Sequence, residues 1–284
     1  MVTRTKSKRD PLRIDGHEVG CVLITGASAG IGAELAREFA RHGHRLTLVA
    51  RRRDKLTELA AELERDHAVD VRLIVQDLAK PTGPGAVVKA AHAEGDDIGI
   101  LVNNAGVIDV GAFASSSTDK IVGMLNLNVR ALTELTSLLL PSMVERRFGR
   151  VLNVASLAAF QPVPSMAAYA ASKAYVLALS EALHEELRGS GVKVTALCPG
   201  ITETNMAEEI KAGSAAAAKL PKQLISDPVD VAREAYQAVL KGQAVLVPGL
   251  PNQITAAWAQ VTPRWLTRYV TGFAARRTDW LNAP

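Results

Sequence analysis

Hydrophobic residues along the chain come in short continuous runs that alternate with stretches in which apolar residues recur every three or four positions. Continuous runs are typical of strands that are buried on both faces, whereas the longer periodicity indicates amphipathic helices. The strands are predicted at residues 21–25, 45–50, 71–76, 100–103, 150–155, 193–197 and 244–247, with helices such as 33–42 and 55–66 between them. This alternation predicts right-handed βαβ units and therefore an α/β fold with a doubly wound parallel sheet.

Three segments depart from the alternation. Residues 1–18 are basic and are expected to form a flexible tail before a single domain at 19–249. Residues 202–226 are small, polar and rich in alanine, and they follow the carboxyl end of a strand, so we expect a lid over a site at that edge of the sheet. Residues 250–284 form a C-terminal extension with an amphipathic helical pattern.

Composition and charge exclude several classes of protein. The chain has 284 residues, 48% of them hydrophobic, and a formal net charge of +4, which suits one large α/β domain. The basic excess is small and scattered, and no nucleic-acid-binding motif is present, so nucleic acid is not an expected partner. No apolar run reaches about 18 residues and the N-terminal segment lacks the apolar core of a signal peptide, so a cytoplasmic location is expected.

The cysteines and histidines do not predict a metal site or a disulfide. Cys21 and Cys198 both lie in apolar, strand-like runs, which favours buried free thiols over a disulfide or a nucleophile. The six histidines are scattered without the spacing of metal ligands. We therefore predict no metal.

A glycine-rich turn, TGASAGIG at residues 25–32, follows the first predicted strand and opens the first helix. Its glycines, Gly26, Gly30 and Gly32, allow a tight turn in which backbone N–H groups approach a pyrophosphate beside the positive end of the helix. A turn without a ligand is the alternative. NNAG, at residues 103–106, follows the fourth strand; Asn103 can bond to neighbouring strands, and a simple turn is the alternative there.

Candidate acid/base chemistry lies in the sequence YAASK. Tyr169 and Lys173 are four residues apart in a helical segment and therefore share one helix face. A free tyrosine has a pKa of about 10, and an ammonium one turn away favours the phenolate and lowers that pKa. Ser156 ends the strand predicted at 150–155, where a hydroxyl can polarise a carbonyl group; a helix cap is the alternative role.

Together these motifs resemble the short-chain dehydrogenase/reductase family. TGASAGIG resembles the cofactor turn of that family, NNAG resembles its second signature, and PGITET, at residues 199–204, resembles its P-G-x-x-x-T segment. The residues that match its catalytic tetrad are Asn128, Ser156, Tyr169 and Lys173. The resemblance covers about residues 19–249. It implies a Rossmann-type sheet of about seven strands in the order 3-2-1-4-5-6-7, with helices on both faces.

The resemblance also implies a reaction, in which a hydride moves between a nicotinamide and a carbonyl group or secondary alcohol. Tyr169 would be the acid/base and Ser156 would hold the carbonyl oxygen. Lys173 would tune Tyr169 and bind ribose, and Asn128 would hold a water that connects Lys173 to solvent. The implied cofactor contacts are Gly26, Ser28, Gly30, Ile31, Gly32, Arg51, Arg52, Asp77, Leu78, Asn104, Ala105, Gly106, Tyr169, Lys173, Pro199, Gly200, Thr202 and Thr204, with Asp77 on the adenine and Thr204 on the carboxamide.

An arginine cluster at the end of the second strand indicates which cofactor is used. An acidic residue at this position would bind the two ribose hydroxyls and repel a 2′-phosphate, but the sequence has Arg51, Arg52 and Arg53. Arginine suits phosphate because of its planar donor fork. Arg51 is the first candidate, Arg52 the second, and Arg53 is expected to face solvent. Ala29 stands where related NADP enzymes often have a basic residue. NADP(H) is favoured over NAD(H), and a solvated arginine run is the alternative.

The C-terminal extension allows three interpretations. An apolar stripe of Trp265, Leu266, Tyr269, Val270 and Phe273 runs along residues 263–277, with arginines mostly elsewhere around the helix. The helix could pack on its own domain or on a partner subunit, cover the substrate entrance, or contact a membrane surface peripherally through residues 252–284.

Two functional hypotheses from different classes follow. The first is an NADP(H)-dependent oxidoreductase of the short-chain type acting on a lipophilic small molecule, an expectation based on the apolar residues Met206, Leu220, Leu224, Leu250 and Trp258. The second is a non-catalytic NADP-binding regulatory or scaffold protein with the same fold. The intact Ser-Tyr-Lys set favours the enzyme. The family resemblance also implies a homodimer or homotetramer.

Overall fold

Seven parallel strands form the central sheet. The computed structural model describes residues 12–93, 95–203 and 225–277. The strands are β1 (Cys21–Thr25), β2 (Arg45–Ala50), β3 (Val71–Val75), β4 (Ile98–Asn103), β5 (Gly149–Val154), β6 (Val192–Leu197) and β7 (Val245–Leu246). Their order across the sheet is β3-β2-β1-β4-β5-β6-β7, so the predicted fold class and strand order are confirmed.

Helices cover both faces of this sheet. They are α1 (Gly30–Arg41), α2 (Arg53–His67), α3 (Gly83–Ala93), α4 (Thr118–Leu125), α5 (Leu132–Glu145), α6 (Ala167–Glu186), α7 (Pro228–Lys241), α8 (Leu250–Val261) and α9 (Arg264–Arg277). Along β1, Val22 and Ile24 pack into one core cluster with α1, α2 and α7, while Cys21 and Leu23 pack into another with α3 and α5. Both sets of alternate side chains are buried, which explains why the strands read as continuous apolar runs.

The segment before β1 differs from the expected tail. From residue 12 onward it is ordered into a hairpin, in which Arg13–Ile14 pairs antiparallel with His17–Glu18. Ile14 packs against the core, and Asp15, in the turn, forms an ion pair with the buried Arg150 at the start of β5. The strands are only two residues long, so no periodic pattern in the sequence marks them.

The remaining predictions concern cysteines and helix length. Cys21 and Cys198 are both buried and free, as predicted. Over the described ranges, no helix is long and apolar enough to cross a membrane. The connections that follow β1, β2, β4, β5 and β6 meet at the carboxyl edge of the sheet, and the candidate site lies there.

Candidate active site

A cavity of about 550 Å³ lies along the carboxyl edge of the sheet, within the usual range for small-molecule sites. Seventeen of the predicted site residues line it: Gly26, Ser28, Gly30, Ile31, Arg51, Arg52, Asp77, Leu78, Asn104, Ala105, Gly106, Ser156, Tyr169, Lys173, Pro199, Gly200 and Thr202. Gly32 and Asn128 lie behind its wall. Thr204 falls outside the described residues, as do Met206, Leu220 and Leu224.

The glycine-rich turn fits an anionic group. Gly26 and Gly30 have φ angles of +66° and +57°, a region that favours glycine. A Cβ on Gly32 would lie 2.5 Å from the carbonyl oxygen of Gly26, so Gly32 is required for close packing behind the turn. The N-terminus of α1 has neither a side-chain cap nor an acidic residue in its first turn. Its positive end is therefore available to the phosphates of a dinucleotide.

The NNAG segment is bonded to β1 and β5. The Thr25 hydroxyl accepts hydrogen bonds from the backbone N–H groups of Asn104 and Ala105, both at 3.0 Å. The Asn104 side chain donates to the carbonyl oxygen of Thr25 at 2.9 Å. Asn103 donates to Asn153 on the neighbouring strand at 2.9 Å, as predicted. These bonds fix the segment against the glycine-rich turn.

Ser156, Tyr169 and Lys173 share one wall of the cavity. Ser156 hydrogen-bonds Tyr169 through its side chain, and its Oγ also accepts from the backbone N–H of Ala158 at 3.1 Å. The serine therefore caps the short helical turn that follows it, which was the alternative role considered for it, and it also contacts the tyrosine. Lys173 Nζ donates to the carbonyl oxygen of Val154 at 2.7 Å and lies 5.8 Å from the centre of the Tyr169 ring.

Burial controls the charge of both titratable groups. It raises the pKa of Tyr169, and the hydrogen bond from Ser156 opposes this effect. Burial also lowers the pKa of Lys173 to about 8. The expected lowering of the Tyr169 pKa by Lys173 is therefore not what the structure gives. The reason is that the fold removes both side chains from water, which disfavours the phenolate and the ammonium alike.

Asn128 lies in a π-helical turn, Asn126–Ala131, that joins α4 to α5. Its side chain accepts from the backbone N–H of Val107 at 3.0 Å and donates to the carbonyl oxygen of Val107 at 2.9 Å. It also donates to Ser172 at 3.2 Å, and Ser172 donates to the carbonyl oxygen of Tyr169 at 2.7 Å. The sequence did not predict that Ser172 belongs to this network. Its position beside Lys173 was the only feature of the sequence that could have indicated it. Asn128 thus supports α6 from behind the cavity.

The arginine cluster divides between the cavity and solvent. All three side chains are exposed, but only Arg51 and Arg52 line the cavity, whereas Arg53 begins α2 outside it. The Arg52 guanidinium donates to the carbonyl oxygen and the hydroxyl of Ser28, at 3.3 and 3.2 Å, in the glycine-rich turn. Asp77 also lines the cavity, and its carboxylate accepts from the backbone N–H of Ala79 at 3.0 Å.

The opposite end of the cavity is apolar, and the sequence motifs did not reveal it. Its wall beside Tyr169 includes Ile108, Leu157, Ala158, Val163 and Met166. Except for Ile108, these residues lie between Ser156 and Tyr169 in the chain. Their place between two predicted site residues was the only feature of the sequence that could have indicated that they line the cavity.

The segment after β6 is held by the C-terminal extension. Thr202 forms an isolated parallel bridge with Ser226. Asn252, on α8, donates to the carbonyl oxygen of Pro248 at 2.8 Å, and a Cβ on Gly200 would lie 2.5 Å from its side-chain oxygen. The first turn of α8 therefore packs directly on the cavity wall.

An open helix N-terminus and a buried tyrosine–lysine pair on one cavity are features of a nicotinamide-dependent oxidoreductase. A family model described as short chain dehydrogenase matches residues 20–215. The chain belongs to the short-chain dehydrogenase/reductase family, which confirms the resemblance in its motifs and the prediction of an enzyme.

Similarity to individual proteins is moderate. Ketoacyl reductase HetN of Nostoc sp. is 32% identical over 257 residues, which cover 89% of this chain and 88% of the relative. The very-long-chain 3-oxoacyl-CoA reductase of Anas platyrhynchos is 34% identical over 195 residues, 66% of this chain, and the match spans only 61% of that relative. The structure of a short-chain dehydrogenase from Sphingobium yanoikuyae in complex with NADPH is 34% identical, with a TM-score of 0.75, and the match covers 90% of this chain and 95% of that one.

Proposed function

We propose that the protein is an NADP(H)-dependent reductase of a ketone group on a lipophilic substrate, or catalyses the reverse oxidation of the secondary alcohol. The observation that carries this proposal is that Ser156, Tyr169 and Lys173 lie on the same cavity as the glycine-rich turn. Bound nicotinamide would supply the hydride. The turn and the start of α1 would hold the dinucleotide phosphates, which would direct the nicotinamide toward Tyr169.

The proposed roles of the catalytic residues follow from their surroundings. Tyr169 donates its phenolic proton to the substrate oxygen. A tyrosine carries this proton at neutral pH, and burial raises the pKa of Tyr169 further. The Ser156 hydroxyl donates to the same oxygen and stabilises its developing negative charge. Lys173 uses one of its donors on Val154, which leaves two for ribose hydroxyls. The backbone of the π-helical turn at Asn128 would hold the water that relays protons from Lys173.

The choice of NADP(H) over NAD(H) is supported by two arginines and by a relative. Arg51 and Arg52 line the cavity where β2 ends, and no acidic residue stands there. Arg52 is already oriented by Ser28, which places its guanidinium group beside the glycine-rich turn. The similar Sphingobium yanoikuyae structure is a complex with NADPH.

A long-chain 3-oxoacyl thioester is the substrate class we propose to test first. The apolar wall beside Tyr169 suits an alkyl chain, and two relatives are named as a ketoacyl reductase and a very-long-chain 3-oxoacyl-CoA reductase.

Residues 19–249 would form the catalytic domain, with 202–226 as a lid and 250–284 as an extension. The exposed Leu138 and Tyr175, on α5 and α6, support a homodimer or homotetramer. A cytoplasmic location stays a prediction.

The test is NADPH oxidation, followed at the nicotinamide absorbance, with 3-oxoacyl thioesters of increasing chain length. Tyr169→Phe removes the proton donor, so we expect kcat to fall by about 100- to 10,000-fold while NADPH binding is retained. Ser156→Ala removes one donor to the oxyanion and should cost about 100- to 1,000-fold. Turnover that survives Tyr169→Phe contradicts the mechanism. NADPH binding without turnover of any ketone would favour the non-catalytic regulator instead.

A further inference from the structure

The two C-terminal helices bury their small side chains and expose their large apolar ones. On α8, Ala256 and Ala259 face the protein, and on α9, Thr267 and Ala275 do so. Eight large hydrophobic side chains are exposed: Leu250, Ile254, Trp258, Val261, Trp265, Tyr269, Val270 and Phe273. We call these eight residues the C-terminal apolar face. Sixteen large hydrophobic residues are exposed over the described ranges, so half of them lie on these two helices.

This arrangement is the reverse of an ordinary amphipathic helix, in which the large apolar side chains face the core. Isolated exposed apolar residues need no explanation, but these recur at helical spacing along one side of each helix. They are Leu250, Ile254, Trp258 and Val261 on α8, and Trp265, Tyr269 and Phe273 on α9. Rows of this kind mark an interaction surface. The exposed fractions are large at both ends of α8: Val261, at its end, is 82% exposed, and Leu250, at its start, is 68% exposed. None of these eight residues belongs to a core cluster of the described part of the chain, which points to an external partner.

The charges on the same helices restrict the class of that partner. Residues 250–277 contain four arginines and no aspartate or glutamate. Arg264, Arg268 and Arg276 are exposed beside the apolar face. In a two-fold dimer the same surface meets itself, so two such faces would bring like charges together. The partner is expected to be apolar and negatively charged.

We propose that the C-terminal apolar face docks on the surface of a bilayer that contains anionic phospholipid. Tryptophan and tyrosine favour the boundary between lipid headgroups and acyl chains, and arginines beside them attract anionic headgroups. The docked surface would adjoin the substrate end of the cavity, because α8 packs against Leu157–Phe160 and Asn252 contacts Gly200. Delivery of a lipophilic substrate from the bilayer rests on the proposed function, whereas docking itself does not.

The chain has a built-in probe for this docking. All three of its tryptophans, Trp258, Trp265 and Trp280, lie in the C-terminal segment, so selectively excited tryptophan fluorescence reports on this region alone. The full chain, without NADPH or substrate, is titrated with vesicles of phosphatidylglycerol and phosphatidylcholine, and separately with phosphatidylcholine alone. We expect a blue shift, quenching by brominated lipid, and sedimentation with the anionic vesicles only. Because no turnover is measured, this result is independent of the proposed function.

Two pairs of variants test the surface itself. Tyr269→Ser with Phe273→Ser should weaken vesicle binding about tenfold or more. The matched control, Phe113→Ser with Val122→Ser, changes side chains of similar exposure elsewhere and should leave binding unchanged. Arg264→Gln with Arg268→Gln should weaken binding about 25-fold, since each arginine contributes about fivefold at an anionic surface. Its control, Arg65→Gln with Arg188→Gln, also removes two exposed charges.

Several results would overturn the proposal. They are no binding of the wild-type chain to anionic vesicles, equal binding to phosphatidylcholine alone, and equal loss of binding in the test and control variants. Sedimentation velocity measures the oligomeric state of the chain and of its variants. If the Tyr269 and Phe273 variant abolished self-association of the chain while vesicle binding was absent, the face would be a subunit interface rather than a lipid-docking surface.

Discussion

Arg51 offers the sharpest test of cofactor selectivity at the level of a single residue. It lines the cavity at the end of β2, and its side chain makes no hydrogen bond within the described ranges, whereas Arg52 is held by Ser28. A hydrogen bond to a charged group contributes about 1.5–3 kcal/mol. We therefore expect Arg51→Ala to raise the Kd for NADPH by about 10- to 100-fold and to leave the Kd for NADH within about twofold, as measured by fluorescence titration of each nucleotide.

Arg53→Ala is the matched control, because Arg53 belongs to the same cluster but does not line the cavity. It should change neither dissociation constant. An equal loss of NADPH and NADH affinity in Arg51→Ala would mean that the arginine cluster is a solvated loop end, which was the alternative for this sequence.

Single residues also mark the limit of what the sequence could predict. Tyr169 and Lys173 were singled out by their spacing and Ser156 by its place at the end of a strand. The family resemblance assigned all three to the site, and the structure brings them together on one wall. The direction of the Tyr169 pKa could not be predicted in the same way. It depends on how completely the surrounding elements exclude water, and burial is a property of the assembled fold rather than of the YAASK motif. The bond from Arg52 to Ser28 likewise joins segments that are distant in sequence.

Among the elements, the π-helical turn between α4 and α5 supports the segment that follows β4. Its wider turn accommodates Asn128, which satisfies both backbone groups of Val107 after β4. Asn128→Ala would remove the three hydrogen bonds of this buried side chain, two to Val107 and one to Ser172, and each bond contributes about 0.5–1.5 kcal/mol. We expect the free energy of unfolding to fall by about 2–3 kcal/mol in urea, with an unchanged m value.

Asn126→Ala serves as the control for this loss, because Asn126 opens the same turn and its side chain makes no hydrogen bond within the described residues. Its free energy of unfolding should change by less than about 0.5 kcal/mol. If both substitutions destabilise the protein equally, the cost comes from helix propensity and not from the bonds to Val107.

The elements differ in how well the sequence predicted them, and the reason is the length of their pattern. Strands such as β2 and helices such as α2 repeat a burial pattern over five or more residues, so their positions were predicted closely. The N-terminal hairpin has two-residue strands, and the π-helical turn differs from an α-helix by one residue of winding. Neither is long or distinct enough to produce a periodic pattern of hydrophobic residues. Each is stabilised instead by contacts with elements distant in the sequence.

At the scale of the whole molecule, a second buried polar cluster lies away from the cavity. The carboxyl edge of the sheet carries the cavity, while α1 and α7 pack on one face around an aromatic cluster. Tyr236, on α7, is stacked by His42 with 4.1 Å between ring centres and meets His44 edge-on. His44 is buried, and its Nε2 bonds to the Tyr236 hydroxyl at 3.2 Å. Its Nδ1 has no hydrogen-bond partner among the residues that the structure describes. This cluster links the two helices to the start of β2.

Burial of His44, reinforced by the nearby His42, lowers its pKa to about 4 from 6.5. Between these two values the unfolded chain binds a proton that the folded chain does not, so stability falls as the pH falls through this range. The loss is about 3 kcal/mol, at about 1.4 kcal/mol per unit of pKa shift.

We expect urea unfolding at pH 7, 5.5 and 4 to show this decline in the wild-type chain and a much shallower one in His44→Gln, which retains a donor for Tyr236. His92→Gln, at an exposed position, should keep the wild-type pH dependence. If His44→Gln declines as steeply as the wild type, the acid sensitivity arises elsewhere, and the α1–α7 cluster tolerates a charged imidazole.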